Sequence, residues 1–131
     1  MEKNHKHLIF NATVSKPLTD EESCKSWLIK LVELIDMNIL IPPVAKYCDT
    51  AGNEGVTGTV VIETSHCSIH IWHKEQVPYI KMDIYSCKDF DEKKVFDYVN
   101  ETMSTVSAGY MLVDRNGIIP MWKSMSSLAT T

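Results

Sequence analysis

Gly58-Thr59-Val60-Val61-Ile62-Glu63-Thr64-Ser65-His66-Cys67-Ser68-Ile69-His70-Ile71-Trp72 is the stretch on which the rest of the chain is organised. Its first half is a β-branched run that reads as a strand, residues 57–63. Its second half reads as another strand, residues 68–73, after a short link, Thr64-Ser65-His66-Cys67. Period-two alternation puts Ser68, His70 and Trp72 on one face of that strand and Ile69 and Ile71 on the other. Serines, histidines and a cysteine crowded together set nucleophiles beside bases, which is the chemistry of an activated site.

Working outward, residues 7–14 read as a first strand, ended at Pro17. Thr19-Asp20-Glu21-Glu22 has the form of a capping box with Thr19 at the cap. The helix that follows lines up Cys24, Trp27, Leu28, Leu31 and Ile35 at spacings of three and four, and Asp36-Met37-Asn38 ends it. Ile39-Leu40-Ile41 and Val44 to Cys48 form a strand bent by Pro42-Pro43, which belongs on a sheet edge because proline cannot donate to a ladder. Residues 49–55 are a loop. Residues 79–87 form a strand with Ile80, Met82 and Ile84 on one face and Lys81, Asp83, Tyr85 and Cys87 on the other. Asp89 or Asp91 caps a second helix, whose apolar face is Val95, Phe96, Val99 and Met103. Tyr110 to Val113 is a last strand, turned at Asn116-Gly117. The pattern predicts an α+β two-layer sandwich, a mainly antiparallel sheet of about six strands with two helices on one face. Residues 1–120 read as a single domain and 121–131 as a loose tail, with Trp122 free to dock it.

The 131 residues suffice for one core. A net charge of −4 does not suggest a nucleic-acid partner. No apolar run reaches the length of a membrane span, and the polar N-terminus does not read as an export signal. Cys24, Cys48, Cys67 and Cys87 include no Cys-x-x-Cys pair, so reduced thiols and a cytoplasmic location are expected. Cys24 and Cys48 read as small buried hydrophobes. His66, Cys67, His70 and His73 alternate poorly for metal ligation, so no metal is expected.

Ser65-His66-Cys67-Ser68-Ile69-His70-Ile71-Trp72 resembles the self-processing signature of the small prokaryotic S-adenosylmethionine decarboxylases, Glu-Ser-His-x-Ser/Thr-Ile-His-Thr-Trp-Pro-Glu. His7-Leu8-Ile9 resembles that family's opening strand, Gly55-Val56-Thr57-Gly58 its Gly-Val-Ser-Gly, and Asp83-Ile84-Tyr85-Ser86-Cys87 its Asp-Val-Phe-Thr-Cys. Decarboxylation of an α-amino acid needs an electron sink that no ordinary side chain supplies. The resemblance implies a pyruvoyl group derived from Ser65, after cleavage between Thr64 and Ser65. It implies His70 as the base, Thr57 as an oxyanion partner and Cys87 as the proton donor to the substrate carbon. It also implies pairing of two protomers, with sites near their contact, and a role in polyamine synthesis.

The sequence departs from the signature in four places. Thr64 replaces the glutamate before the serine, with Glu63 one place early. His73-Lys74 replaces Pro-Glu, with Glu75 one place further on. Ala51 stands where the family has an adenine-stacking phenylalanine. The interval from Trp72 to Asp83 is two residues longer. Tyr47, Trp72 and Glu75 are the replacement candidates for substrate binding. The departures leave two other readings open: a pyruvoyl decarboxylase of another amino acid such as ornithine or arginine, and an uncut homologue that regulates a partner without catalysis.

Overall fold

The computed structural model describes residues 3–128. The elements run β1 (Lys6–Val14), α1 (Glu21–Leu34), β2 (Ile39–Cys48), β3 (Gly55–Ile62), β4 (Ser65–Trp72), β5 (Tyr79–Ser86), α2 (Glu92–Met103), β6 (Thr105–Asp114) and β7 (Met121–Leu128). The strands form one sheet in the order β2-β3-β4-β5-β1-β6-β7, antiparallel at every pairing. Helix α1 packs on β2 and β3, and α2 on β1 and β6. The result is the expected α+β two-layer sandwich with both helices on one face.

Alternation decides which face is covered. Leu8 and Phe10 of β1, Cys67, Ile69 and Ile71 of β4, and Ile80, Met82 and Ile84 of β5 are buried with the helices' Leu28, Leu31, Val95 and Val99. Burying side chains of this size contributes roughly 1.5–3 kcal/mol each. The helices are joined directly: Trp27 Nε1 donates to Thr102 Oγ1 at 2.8 Å, and Tyr98 Oη donates to the Trp27 carbonyl at 2.8 Å. The opposite face carries no helix. Among the described residues it presents Thr57 and Thr59, then His66, Ser68, His70 and Trp72, then Tyr79, Lys81, Asp83 and Tyr85.

Four expectations change. The cap of α1 is Asp20, not Thr19; its carboxylate accepts from the Ser23 amide and hydroxyl, both at 2.8 Å. The carboxylate satisfies a free helix-start N–H beside the positive helix end, so it outcompetes a hydroxyl one residue earlier. The link between β3 and β4 is only Glu63-Thr64, because His66 and Cys67 already pair with Val61 and Val60. The stretch expected as a loose tail is β7 as far as Leu128, hydrogen-bonded along β6; the free edge of β6 pairs its backbone there although most of its side chains stay exposed. Residues 129–131 lie outside the described residues. Cys48, at the end of edge strand β2, is half-buried and not part of the core, unlike Cys24. The bend at Pro42-Pro43 is on the edge strand as expected, with register shifts on either side of Ile41.

Candidate active site

The end of α1 builds the floor of the first half of the site. Asp36 takes a left-handed conformation (φ 58°), the Met37 amide reaches back to the Val32 carbonyl, and the Asp36 amide reaches the Glu33 carbonyl. This is the Schellman ending, with aspartate in a position glycine usually fills. It delivers Met37 and Asn38 beneath the Glu63-Thr64 turn. The Glu63 amide donates to the Asn38 carbonyl at 2.9 Å, and Thr64 Oγ1 donates to Met37 Sδ at 3.2 Å.

That turn is strained at one residue. Two-residue hairpin loops favour turns with positive φ at their central residues, since only those match strand twist. Neither Glu63 nor Thr64 has positive φ; the deviation falls on Ser65, at φ 150°. A non-glycine residue there costs of order 1–3 kcal/mol and persists only where its surroundings hold it. They do: Ser65 pairs with Ile62 and Ser86, and the Cys87 amide donates to the Thr64 carbonyl at 2.9 Å. Buried Ser86 fixes the following turn by donating to the Lys88 carbonyl at 2.7 Å and accepting from its amide at 3.0 Å. Thr64, Ser65 and Cys87 are thus brought together.

Thr57 and His70 are also brought together, but elsewhere. They are cross-strand partners, with Thr57 Oγ1 3.0 Å from His70 Nδ1. Both lie toward the other end of β3 and β4. Along one strand, five residues span about 17 Å, so His70 of the same chain does not reach Ser65. Around this second half, Trp72 stacks on Tyr79 at 4.7 Å and donates from Nε1 to Asn53 Oδ1 at 2.8 Å. Tyr47 Oη lies 2.7 Å from His73 Nε2. Glu75 is exposed on the β4–β5 turn. Tyr47 alternates with buried Ala45 and pairs with buried Val56, so the Tyr47–His73 pair lies on the helix-covered side of the sheet, at the same end as Trp72 but on the opposite face.

A third cluster was not singled out from the sequence. On the open face, His7 Nε2 and His66 Nε2 lie 2.9 and 3.2 Å from the same Asp83 Oδ2. Arg115 lies over the Tyr85 ring at 4.0 Å and directs a guanidinium nitrogen at His7 Nδ1, 3.3 Å away. Arginine can only donate, so His7 Nδ1 accepts and its proton sits on Nε2, aimed at Asp83. The hydrogen bond from His7, and then that from His66, hold the Asp83 carboxyl below its ordinary range against partial burial. The three ligand-type atoms lie within 4.8 Å of one another, yet this tautomer gives His7 no lone pair at Nε2, so the trio is a hydrogen-bonded clamp on the strand that begins at Ser65. The alternation of β1 and β5 carried the signal: His7 and Asp83 occupy outward positions on strands that turn out to be neighbours.

No helix among the described residues is long and apolar enough to cross a membrane. Comparison with known proteins gives a consistent picture. The S-adenosylmethionine decarboxylase family model matches residues 6–116. The S-adenosylmethionine decarboxylase proenzyme of Clostridium botulinum (strain Loch Maree) is 32% identical over 87 residues, 66% of this chain and 70% of the relative. The proenzyme of Methanococcus maripaludis is 28% identical over 89 residues, 66% and 68% of the two chains, and that of Sulfurihydrogenibium sp. is 24% identical over 102 residues, 70% and 74%. By the extent of the family match and the identity to these relatives, the chain belongs to the S-adenosylmethionine decarboxylase family of carboxy-lyases.

Proposed function

We propose that the chain is a proenzyme that cuts itself between Thr64 and Ser65 and then decarboxylates S-adenosylmethionine for polyamine synthesis. The observation that carries this reading is the strained φ of 150° at Ser65, the residue the motif marks for processing. Strain held by surrounding hydrogen bonds is a recognised feature of reactive sites. A serine at this turn, with its preceding carbonyl already hydrogen-bonded, fits a group made from the chain itself, and the reading needs no metal. The pyruvoyl group so formed would supply the ketone that draws electrons from the substrate carbon as carbon dioxide leaves.

The other roles follow from position. Cys87, whose amide donates to the Thr64 carbonyl, is the candidate to return a proton to the substrate carbon. His70, hydrogen-bonded to Thr57, is a candidate base for the α-proton of Ser65, but a general base must come within about 3 Å of the proton it takes. On this reading the pair serves a Ser65 on another copy, which the distance along β4 supports. The reading is therefore a homodimer with two equivalent composite sites, each taking Thr64, Ser65 and Cys87 from one protomer and Thr57 and His70 from its partner. Two-fold pairing makes both sites at once. The helix-free sheet face, which carries His70 and Thr57, is the surface on which the copies would meet.

Intact-mass measurement tests the reading. Fragments of 64 and 67 residues, the second lacking a free amine, are expected from the wild-type chain and not from Ser65→Ala. A chain still intact after long incubation points to the uncut regulatory homologue instead. A second substrate reading is favoured by Ala51 and Lys74, which stand where the family has its aromatic and acidic groups. Carbon dioxide from labelled ornithine or arginine, with none from S-adenosylmethionine, would establish it.

A further inference from the structure

If Ser65 becomes a pyruvoyl group, β4 acquires a free end, and the ketone must still be held in one place. A pyruvoyl residue has a ketone where a serine has its amide nitrogen, so the first main-chain donor left on the strand is the amide of His66. Chain ends are poorly ordered unless something ties them down. Buried Cys67 anchors β4 in the core, which leaves residue 66 alone between that anchor and the ketone. The His66 side chain stands on the helix-free face, 40% exposed, and its Nε2 donates to Asp83 Oδ2 at 3.2 Å. Asp83 is gripped from its far side: His7 Nε2 donates to the same oxygen at 2.9 Å, and Arg115 fixes the proton of His7 through Nδ1. The Arg115 amide donates to the His5 carbonyl at 2.9 Å, and its guanidinium lies over the Tyr85 ring. Tyr85 closes the loop, with its hydroxyl 2.6 Å from His5 Nδ1. The His66 ring is therefore tied to β1, to β5 and to the turn after β6, none of which a cut at Ser65 touches. The same N-terminal segment holds Cys87, whose carbonyl accepts from the Asn4 amide at 2.9 Å.

We propose that His66, gripped by Asp83 and His7, is a positioning residue that keeps the pyruvoyl end of β4 in place after the Thr64–Ser65 bond is cut. The inference rests on the self-cleavage reading and gives the cluster a role in turnover that cleavage does not need. Before the cut, the peptide to Thr64 holds Ser65, and the contacts of Glu63 and Thr64 with Asn38 and Met37 hold the turn. After it, that tether is gone, and the strand end has only its pairing with Val61 and Tyr85 and the clamp on His66. A hydrogen bond to a charged group is strong enough to shift such an opening equilibrium by roughly 10- to 100-fold. Turnover needs the ketone at a fixed distance from the substrate and from Cys87, and a misplacement of about 1 Å can cost on the order of 10²-fold in rate.

The test uses full-length wild type, His66→Ala and His66→Gln; glutamine keeps an N–H donor at about the reach of Nε2. All three should cut to completion. In the cut chains, hydrogen exchange at the start of β4 should be on the order of tenfold faster in His66→Ala than in wild type. Decarboxylation of S-adenosylmethionine should fall by about tenfold to 10²-fold, and glutamine should restore both. In the uncut Ser65→Ala background, His66→Ala should leave that exchange unchanged, because the peptide still holds the end. Equal exchange and equal turnover in cut wild type and cut His66→Ala would overturn the inference and leave self-cleavage intact. So would losses that glutamine does not restore, or faster exchange already present before the cut, since these mark a merely structural role. A His66→Ala chain that stays whole while wild type cuts also overturns it, by placing the cluster before cleavage. If wild type itself stays whole, the self-cleavage reading has failed and the inference falls with it.

Discussion

Pairing a chain that lacks the nucleophile with one that lacks the base gives an all-or-none test of the composite site. Ser65→Ala retains His70, and His70→Ala retains Ser65. On the proposed homodimer, each alone would form dimers in which both sites lack a component, and losing a general base slows a step by about 10²–10⁴-fold. The separation decides what mixing does. Five residues of extended β4 put Ser65 and His70 about 17 Å apart in one chain, several times hydrogen-bond reach. In a mixed dimer, one site then contains both defects, while the other joins Ser65 of the His70→Ala chain to His70 of the Ser65→Ala chain. Random pairing at equal concentrations makes about half of the dimers mixed under two-fold symmetry. About half of the His70→Ala chains should therefore be cleaved, and no Ser65→Ala chains. Co-refolding followed by intact-mass analysis reads both numbers. Cleavage of isolated His70→Ala at the wild-type rate, or none in the mixture when wild type cleaves, would refute the reasoning.

Gly55→Ala should destabilise the domain by about 3 kcal/mol or prevent folding, because the added Cβ would overlap the Ile71 carbonyl oxygen of the neighbouring strand; chemical denaturation measures it, and a loss under about 0.5 kcal/mol would show that the strands part easily. Burial pushes the Cys24 thiol up to about 11 and the Cys67 thiol up to about 12, while hydrogen bonding from Thr50 lowers that of Cys48. Among these three, iodoacetamide at pH 8 should label Cys48 first and the other two only in denaturant, as peptide mapping will show. The Asp83 carboxyl is held down chiefly by its hydrogen bond from His7. A depressed folded-state value gives stability that is present above the ordinary aspartate value of 3.8 and lost as pH falls through the lower folded one. Asp83→Asn should therefore flatten the acid limb of the melting temperature below about pH 4; parallel limbs for the two proteins would remove Asp83 from the account.

The faces of the sheet were legible because alternation is a local property. Ile69 and Ile71 could only share a face, and the sequence showed Ser68, His70 and Trp72 opposite them. The Schellman ending at Asp36-Met37-Asn38 was legible as a stop but not as the support for Thr64, since that contact joins residues 27 positions apart. The tight turn was hidden for a physical reason. Glu63-Thr64 contains neither glycine nor asparagine, the residues that usually accept positive φ, so nothing local announced a two-residue hairpin. The positive φ moved instead to Ser65. Strand β7 was hidden because an edge strand with mostly exposed side chains needs no apolar alternation; its backbone pairing with β6 holds it. The separation of Ser65 from His70, by contrast, could have been read directly. Once the motif lies on a strand, its length is the number of residues times the rise.

That separation also bears on how the chain departs from its family. Thr64, Ser65 and Cys87 sit at one end of the β4–β5 ladder, while His73, Tyr47 and Trp72 sit at the other, some seven residues along the same strand. Most departures from the signature, Ala51 and His73-Lys74 with the longer β4–β5 turn, fall at the second end. The packing at the first end does not depend on them. The Schellman ending of α1, the Cys87 amide and the His7–Asp83–His66 clamp hold the Glu63-Thr64 turn and the start of β4, with no hydrogen bond among the described residues from the Tyr47–His73 pair. Side chains at the Trp72 end can therefore change without altering the strain at Ser65. A substitution such as Trp72→Ala, on the open face, should then alter substrate use and leave the resting geometry of the Thr64–Ser65 bond unchanged. If the proposed two-copy site holds, the two ends of one protomer serve different sites, and the chemistry of a chain and the pocket it offers its partner would be separable by mutation.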